Sequence, residues 1–180
     1  MRAAAAGLLT LLVLVSCARD DEGATVTPVE RPDRVVDEFR LTETTTGVPQ
    51  WRLRADEAQH FVTEAHTRLT GVELEFFRSD GGVRSRLTSL RGLVEDATSD
   101  MVAEGNVLLV SAEGDSLETE YLRYSKETND ISGPGFVRIA KPDRVLTGTG
   151  FRAKPDLTQY EVEKDVRIRL VDPSGRHTGP

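Results

Sequence analysis

The sequence predicts an all-β protein, a single twisted antiparallel β-jellyroll shaped as a half-open trough, and three observations lead there. Short runs of alternating apolar and polar residues dominate from Val35 onward, with no sustained helical periodicity. Aliphatic positions recur about thirty residues apart. Within a repeat the apolar residues switch parity, which in a strand marks a bulge or a passage into a facing layer.

Taken in chain order, the first element is an export segment. Arg2 supplies a positive start, and Ala3 to Val15 is an uncharged run of thirteen residues, well short of the ~20 needed to span a bilayer as a helix. Residues 1–16 read as a signal peptide and 17–34 as an acidic, flexible tether containing Pro28 and Pro32. Strand patterns follow over residues 35–171. Phe39 and Leu41 alternate with charges, then Trp51, Leu53 and Ala55, then Val72, Leu74 and Phe76, and later Val166, Ile168 and Leu170. Turns are expected at Asp80-Gly81-Gly82, Glu113-Gly114-Asp115, Thr128-Asn129-Asp130 and Pro155-Asp156, and residues 172–180 as a disordered tail.

The repeat is the strongest internal signal. Leu87, Leu117 and Leu146 are separated by 30 and 29 residues, and three further columns keep that step: Met101, Ile131 and Tyr160; Val107, Val137 and Val166; Leu109, Ile139 and Ile168. A looser first copy places Leu53 and Val72 34 and 35 residues before their counterparts. Parity changes between Leu117-Thr119-Tyr121 and Leu122-Tyr124, and again between Leu146-Gly148 and Phe151-Ala153. Stacked units of this kind give two facing antiparallel layers with an apolar interior. Its expected lining is Leu53, Leu74, Leu87, Met101, Val107, Leu109, Leu117, Leu122, Ile131, Val137, Ile139 and Ile168. These residues are either the wall of a lipid groove or plain sandwich core.

Several classes are disfavoured. The formal net charge of −7 argues against nucleic-acid binding. His60, His66 and His177 stand at no metal-site spacing, so no metal is expected. Gly148-Thr149-Gly150 lacks the third glycine of a dinucleotide loop and reads as a turn or bulge. No serine sits in a nucleophile elbow and no carboxylate pair stands out, so the chain reads as a non-enzyme without catalytic residues or cofactor.

Two resemblances sharpen this picture. Leu14-Val15-Ser16-Cys17 resembles the lipobox of bacterial lipoproteins, which implies diacylglycerol on the Cys17 thiol and a mature chain beginning there. Cys17 is the only cysteine, so no disulfide forms within the chain. Glu104-Gly105-Asn106-Val107, Asp115-Ser116-Leu117-Glu118-Thr119 and Leu122-Arg123-Tyr124 resemble the repeat of the OstA/LptA/LptC superfamily. Gly47-Val48-Pro49-Gln50-Trp51-Arg52-Leu53-Arg54-Ala55, followed by Leu69-Thr70-Gly71-Val72, resembles the opening segment of LptC proteins.

The superfamily resemblance implies a jellyroll whose interior receives the lipid A acyl chains of lipopolysaccharide. The lipid would come from an LptBFG-like ABC transporter and pass to an LptA-like periplasmic protein. It also implies partner contacts at exposed edge strands, around Val36, Phe39 and Leu41 at one end and Val166, Ile168 and Leu170 at the other. A lipoprotein signal departs from the transmembrane helix usual in LptC proteins. It places the protein in the periplasm on a lipid anchor, in the inner membrane by family function or the outer membrane by the residue Ala18 after the cysteine. The alternative use of the same jellyroll is as an adaptor, a scaffold for protein contacts alone.

Overall fold

A computed structural model describes residues 31–171. Nine strands follow one another: β1 (Arg34–Thr45), β2 (Val48–Phe61), β3 (His66–Phe77), β4 (Val83–Glu95), β5 (Met101–Ser111), β6 (Ser116–Ser125), β7 (Asp130–Lys141), β8 (Arg144–Ala153) and β9 (Tyr160–Leu170). Each pairs antiparallel with the next, so sheet order is chain order and β1 and β9 are the edges. The hairpin turns fall where glycine, asparagine and aspartate cluster; Gly81, Gly114 and Asn129 supply the positive φ that such turns need.

The thirty-residue repeat is a hairpin of two strands, and the columns meet in register. Leu53 pairs with Leu74, Leu87 with Leu109, Leu117 with Ile139, and Leu146 with Ile168. Between hairpins, Leu74 pairs with Leu87, Leu109 with Leu117, and Ile139 with Leu146. Leu41 of β1 pairs with Leu53. One aliphatic side chain from every strand therefore stands in a single row across the sheet, about 38 Å long at ~4.8 Å per strand.

The parity switches become a crease. Positive φ occurs inside strands at Glu38, Gly71, Gly105, Asn106, Gly150 and Asp165. The register breaks between Thr88 and Arg91, Glu104 and Val107, Thr119 and Arg123, Gly133 and Phe136, and Thr147 and Thr149. Together, the left-handed residues of the first strands and the bulges from β4 onward bend the sheet. Gly71 shows why glycine is needed: at φ 63° an added Cβ would stand 2.0 Å from the Asp56 carboxylate.

The bend is sharp enough to bring strand ends together. Tyr160 pairs with Ala153, nine residues along β8 from Arg144, a separation of ~30 Å in a straight strand. Yet Arg144 Nη2 donates to the Tyr160 hydroxyl at 3.4 Å. Likewise Phe76 and Tyr124, on strands that are not neighbours, have ring centroids 5.1 Å apart. Each strand thus runs up one layer, turns at the crease and returns in the facing layer. A continuous apolar cluster fills the space between the two layers.

Candidate functional site

The interior of the folded sheet is the candidate site. Eleven of the expected lining residues, Leu53, Leu74, Leu87, Met101, Val107, Leu109, Leu117, Leu122, Ile131, Val137 and Ile139, are buried at 0–4% exposure and share one cluster. Ile168 is the exception and corrects the expectation. It continues the row on the inward side, but on the last strand it remains 61% exposed. It belongs with the edge residues rather than the enclosed wall.

The trough is filled by its own side chains. Beside Leu53, Leu74, Leu87 and Met101 lies a small cavity in which the centre of a water-sized sphere can move over only about 10 Å³, about what one water needs. Along these residues the groove expected from the repeat is thus a packed seam.

What closes the seam was not legible in the repeat. On one rim lie the β1–β2, β3–β4, β5–β6 and β7–β8 turns; on the other lie the β2–β3, β4–β5, β6–β7 and β8–β9 turns. Lys126 Nζ reaches Glu43 at 2.8 Å, and Arg84 Nη2 donates to Asn129 Oδ1 at 3.3 Å. Tyr124 donates its hydroxyl to the same Asn129 oxygen while its ring packs on Phe76. Burial raises the Tyr124 phenol above its ordinary pKa, with smaller like-sign help from Asp100 and Glu43 and opposition from Arg84. Farther along, Lys141 pairs with Asp115 on its own rim, lies 5.3 Å from the Tyr160 ring and donates to the Leu157 carbonyl at 3.4 Å.

Leu157, in the β8–β9 loop, is fully buried in the core cluster. Its φ of 58° is costly for a leucine, about 1–2 kcal/mol. Sequence reasoning missed it. The available signal was one large apolar residue inside the polar turn Lys154-Pro155-Asp156-Leu157-Thr158. Among the described residues four buried side-chain polar atoms, Trp51 Nε1, His66 Nε2, Arg84 Nε and Ser85 Oγ, have no hydrogen-bond partner in the protein.

The outer face is polar and largely self-paired. Arg86 and Arg52 share Glu75 at 3.0 and 3.3 Å, and Arg123 meets Asp100 at 2.9 Å. Burial pushes the Asp100 carboxyl up, but the bonds from Arg123 and from the Lys126 backbone N–H outweigh it and leave its pKa lowered. His60 contacts Asp96 at 2.9 Å and His66 stacks on Phe61. Among the described residues no His, Cys, Asp and Glu side chains gather as a metal-holding group, and no helix is long and apolar enough to cross a membrane. Cys17, the signal segment and residues 17–30 of the tether lie outside the described residues, as do residues 172–180.

Comparison with known proteins now decides the family. Residues 3–171 match the family described as lipopolysaccharide-assembly, LptC-related. The chain belongs to that family. A comparison with curated proteins gave no match. Among solved structures the fold is similar to LptH, the LptA-homologous periplasmic component of the lipopolysaccharide transport device of Pseudomonas aeruginosa. The TM-score is 0.53 at 11% identity, covering 68% of this chain and 94% of that one. The likeness concerns the folded, one-sheet jellyroll; the LptC-related match covers nearly the whole chain.

Proposed function

We propose that this LptC-family protein is a periplasmic stage of lipopolysaccharide export. It takes the lipid from an LptBFG-like ABC transporter and passes it to an LptA-like protein. Cys17 carries the lipid anchor, in the inner membrane on this reading, and the protein performs no covalent chemistry. A dozen methylenes exposed to water cost roughly 10 kcal/mol at ~0.8 kcal/mol each. An apolar interior offsets that cost while the sugars stay outside.

The observation that carries the reading is the aliphatic row that crosses all nine strands and reaches both edges. A core needs burial, but it does not need one unbroken apolar track ending in exposed Leu41 and Ile168. Val36, Phe39 and Leu41 on β1 face the transporter on this reading. Val166, Ile168 and Leu170 on β9 receive the next protein by strand addition.

The closed seam favours a second reading, a scaffold lipoprotein whose interior never admits lipid. Photocrosslinking in cells separates the two. A photoreactive residue at Leu109, which is fully buried, should yield a lipopolysaccharide adduct, whereas its neighbour Leu108 on the outer face should not. Equal labelling at both positions, or none at Leu109 in a folded and partner-bound protein, leaves the scaffold.

A further inference from the structure

We propose that Leu157 is a built-in stopper of the apolar interior, and that the loop over residues 154–159 lifts when an acyl chain enters. The inference rests on the lipid-binding reading and adds its regulation: the chain supplies its own occupant for the site.

The loop's composition sets it apart. Lys154, Pro155, Asp156, Thr158 and Gln159 are turn-forming or polar, and Leu157 alone is large and apolar. Val62, the comparable residue in the β2–β3 turn, is 61% exposed, as a turn residue ordinarily is. Leu157 instead has no exposed surface and belongs to the central cluster. It reaches there with a left-handed backbone, φ 58°.

The way the loop is held fits a part that moves. On its own rim, Lys154 Nζ is tied to Asp130 at 2.6 Å and to the Thr128 carbonyl at 3.2 Å. Its internal bonds keep it a compact unit: Leu157 N–H donates to the Lys154 carbonyl, and Thr158 donates both N–H and hydroxyl to Asp156 Oδ1. Among the described residues, one hydrogen bond ties the loop to the far rim, from the Lys141 ammonium to the Leu157 carbonyl at 3.4 Å. No backbone hydrogen bond among the described residues joins the loop to that rim. A core leucine on a strand is fixed by the ladder on both sides; Leu157 is held by its own burial and that of Pro155, by the bonds within its loop and, across the seam, by one lysine. Its isobutyl group occupies space that methylenes of a fatty chain would fill with the same apolar chemistry. A ligand that binds only the open state is weakened by the fraction of protein held closed.

The test uses the full chain and purified lipopolysaccharide as the probe, with affinity and amide exchange of the loop as readouts. Leu157→Ala and Lys141→Met should each tighten the apparent Kd by about 3- to 10-fold, because each raises the open fraction. Val62→Ala should change nothing. In the wild type, bound lipopolysaccharide should accelerate exchange at residues 157–159. Lys141→Met leaves the stopper itself intact, so it still reports if Leu157→Ala folds poorly. Should wild type bind while both variants bind no tighter and the loop keeps its protection, Leu157 is ordinary core and the stopper falls alone. Should neither wild type nor variants bind, the lipid reading falls and takes the stopper with it.

Discussion

The two edges of the sheet look alike in sequence and differ in the fold. Both β1 and β9 alternate aliphatic and charged residues, and both carry a mid-strand residue with positive φ, Glu38 and Asp165. At the β1 end, Phe39 packs against the core, Leu41 is 40% exposed, and Glu43 ties the strand across the seam to Lys126. At the β9 end, Val166, Ile168 and Leu170 are 48, 61 and 78% exposed on the inward side. The first edge is itself mostly exposed and is held by Phe39 and the Glu43 tie; the second packs Tyr160 and Val162 on the core and then continues the apolar row farther into solvent. An uncovered inward face at a sheet edge is a liability unless something occupies it. That points to β9 as the outlet in the proposed relay.

The comparison can be broken most severely from the middle of the row that joins the two edges. Leu109→Ala removes a fully buried side chain, so it should cost about 2–5 kcal/mol of unfolding free energy in denaturant titration. Leu109→Glu would bury a charge and is expected to unfold the domain, which is why crosslinking is the better probe of that position. At the edges the effects should separate: Phe39→Ala should cost about 1–3 kcal/mol and Ile168→Ala less than about 0.5 kcal/mol. Equal costs would mean the two ends are packed alike. Deleting everything after Glu163 should lower stability only slightly but abolish capture of an LptA-like partner. Retained capture would remove the outlet assignment.

A finer test concerns pH. Asp100, nearly buried near the β5 start, holds Arg123 and the Lys126 N–H. Its folded pKa is depressed, so it contributes stability above the unfolded value of about 3.9 and loses it as pH falls through the folded one. Asp100→Asn should therefore cost about 1 kcal/mol at neutral pH, with the gap to wild type narrowing below about pH 4. A salt-dependent effect belongs to the tie at β1. Glu43→Gln should cost no more than about 1 kcal/mol, and less at high salt, since the pair with Lys126 is partly exposed.

How much of this was legible beforehand follows from the periods involved. Strand periodicity is local, so the alternation around Leu74, Leu109 or Ile139 shows which side chains share a face. The thirty-residue step shows that successive hairpins present the same face. The switches between Thr119 and Leu122, and between Gly148 and Phe151, were readable as bulges for the same reason. Ile168 was misplaced because periodicity is blind to position in the sheet. Its alternation matches that of Ile139, but β9 has no strand beyond it. Leu157 was invisible because it belongs to no period at all.

The amino-acid order by itself determined which residues share the inward face and where β6 and β8 bend, since both follow from a two-residue alternation and its interruptions. Only the tertiary structure decided that the bent layers close on each other, that Lys126, Tyr124 and Lys141 reach across the seam, and that Leu157 fills it. Those contacts join residues tens of positions apart. Their distances depend on the summed bend and twist of nine strands, which no local pattern encodes.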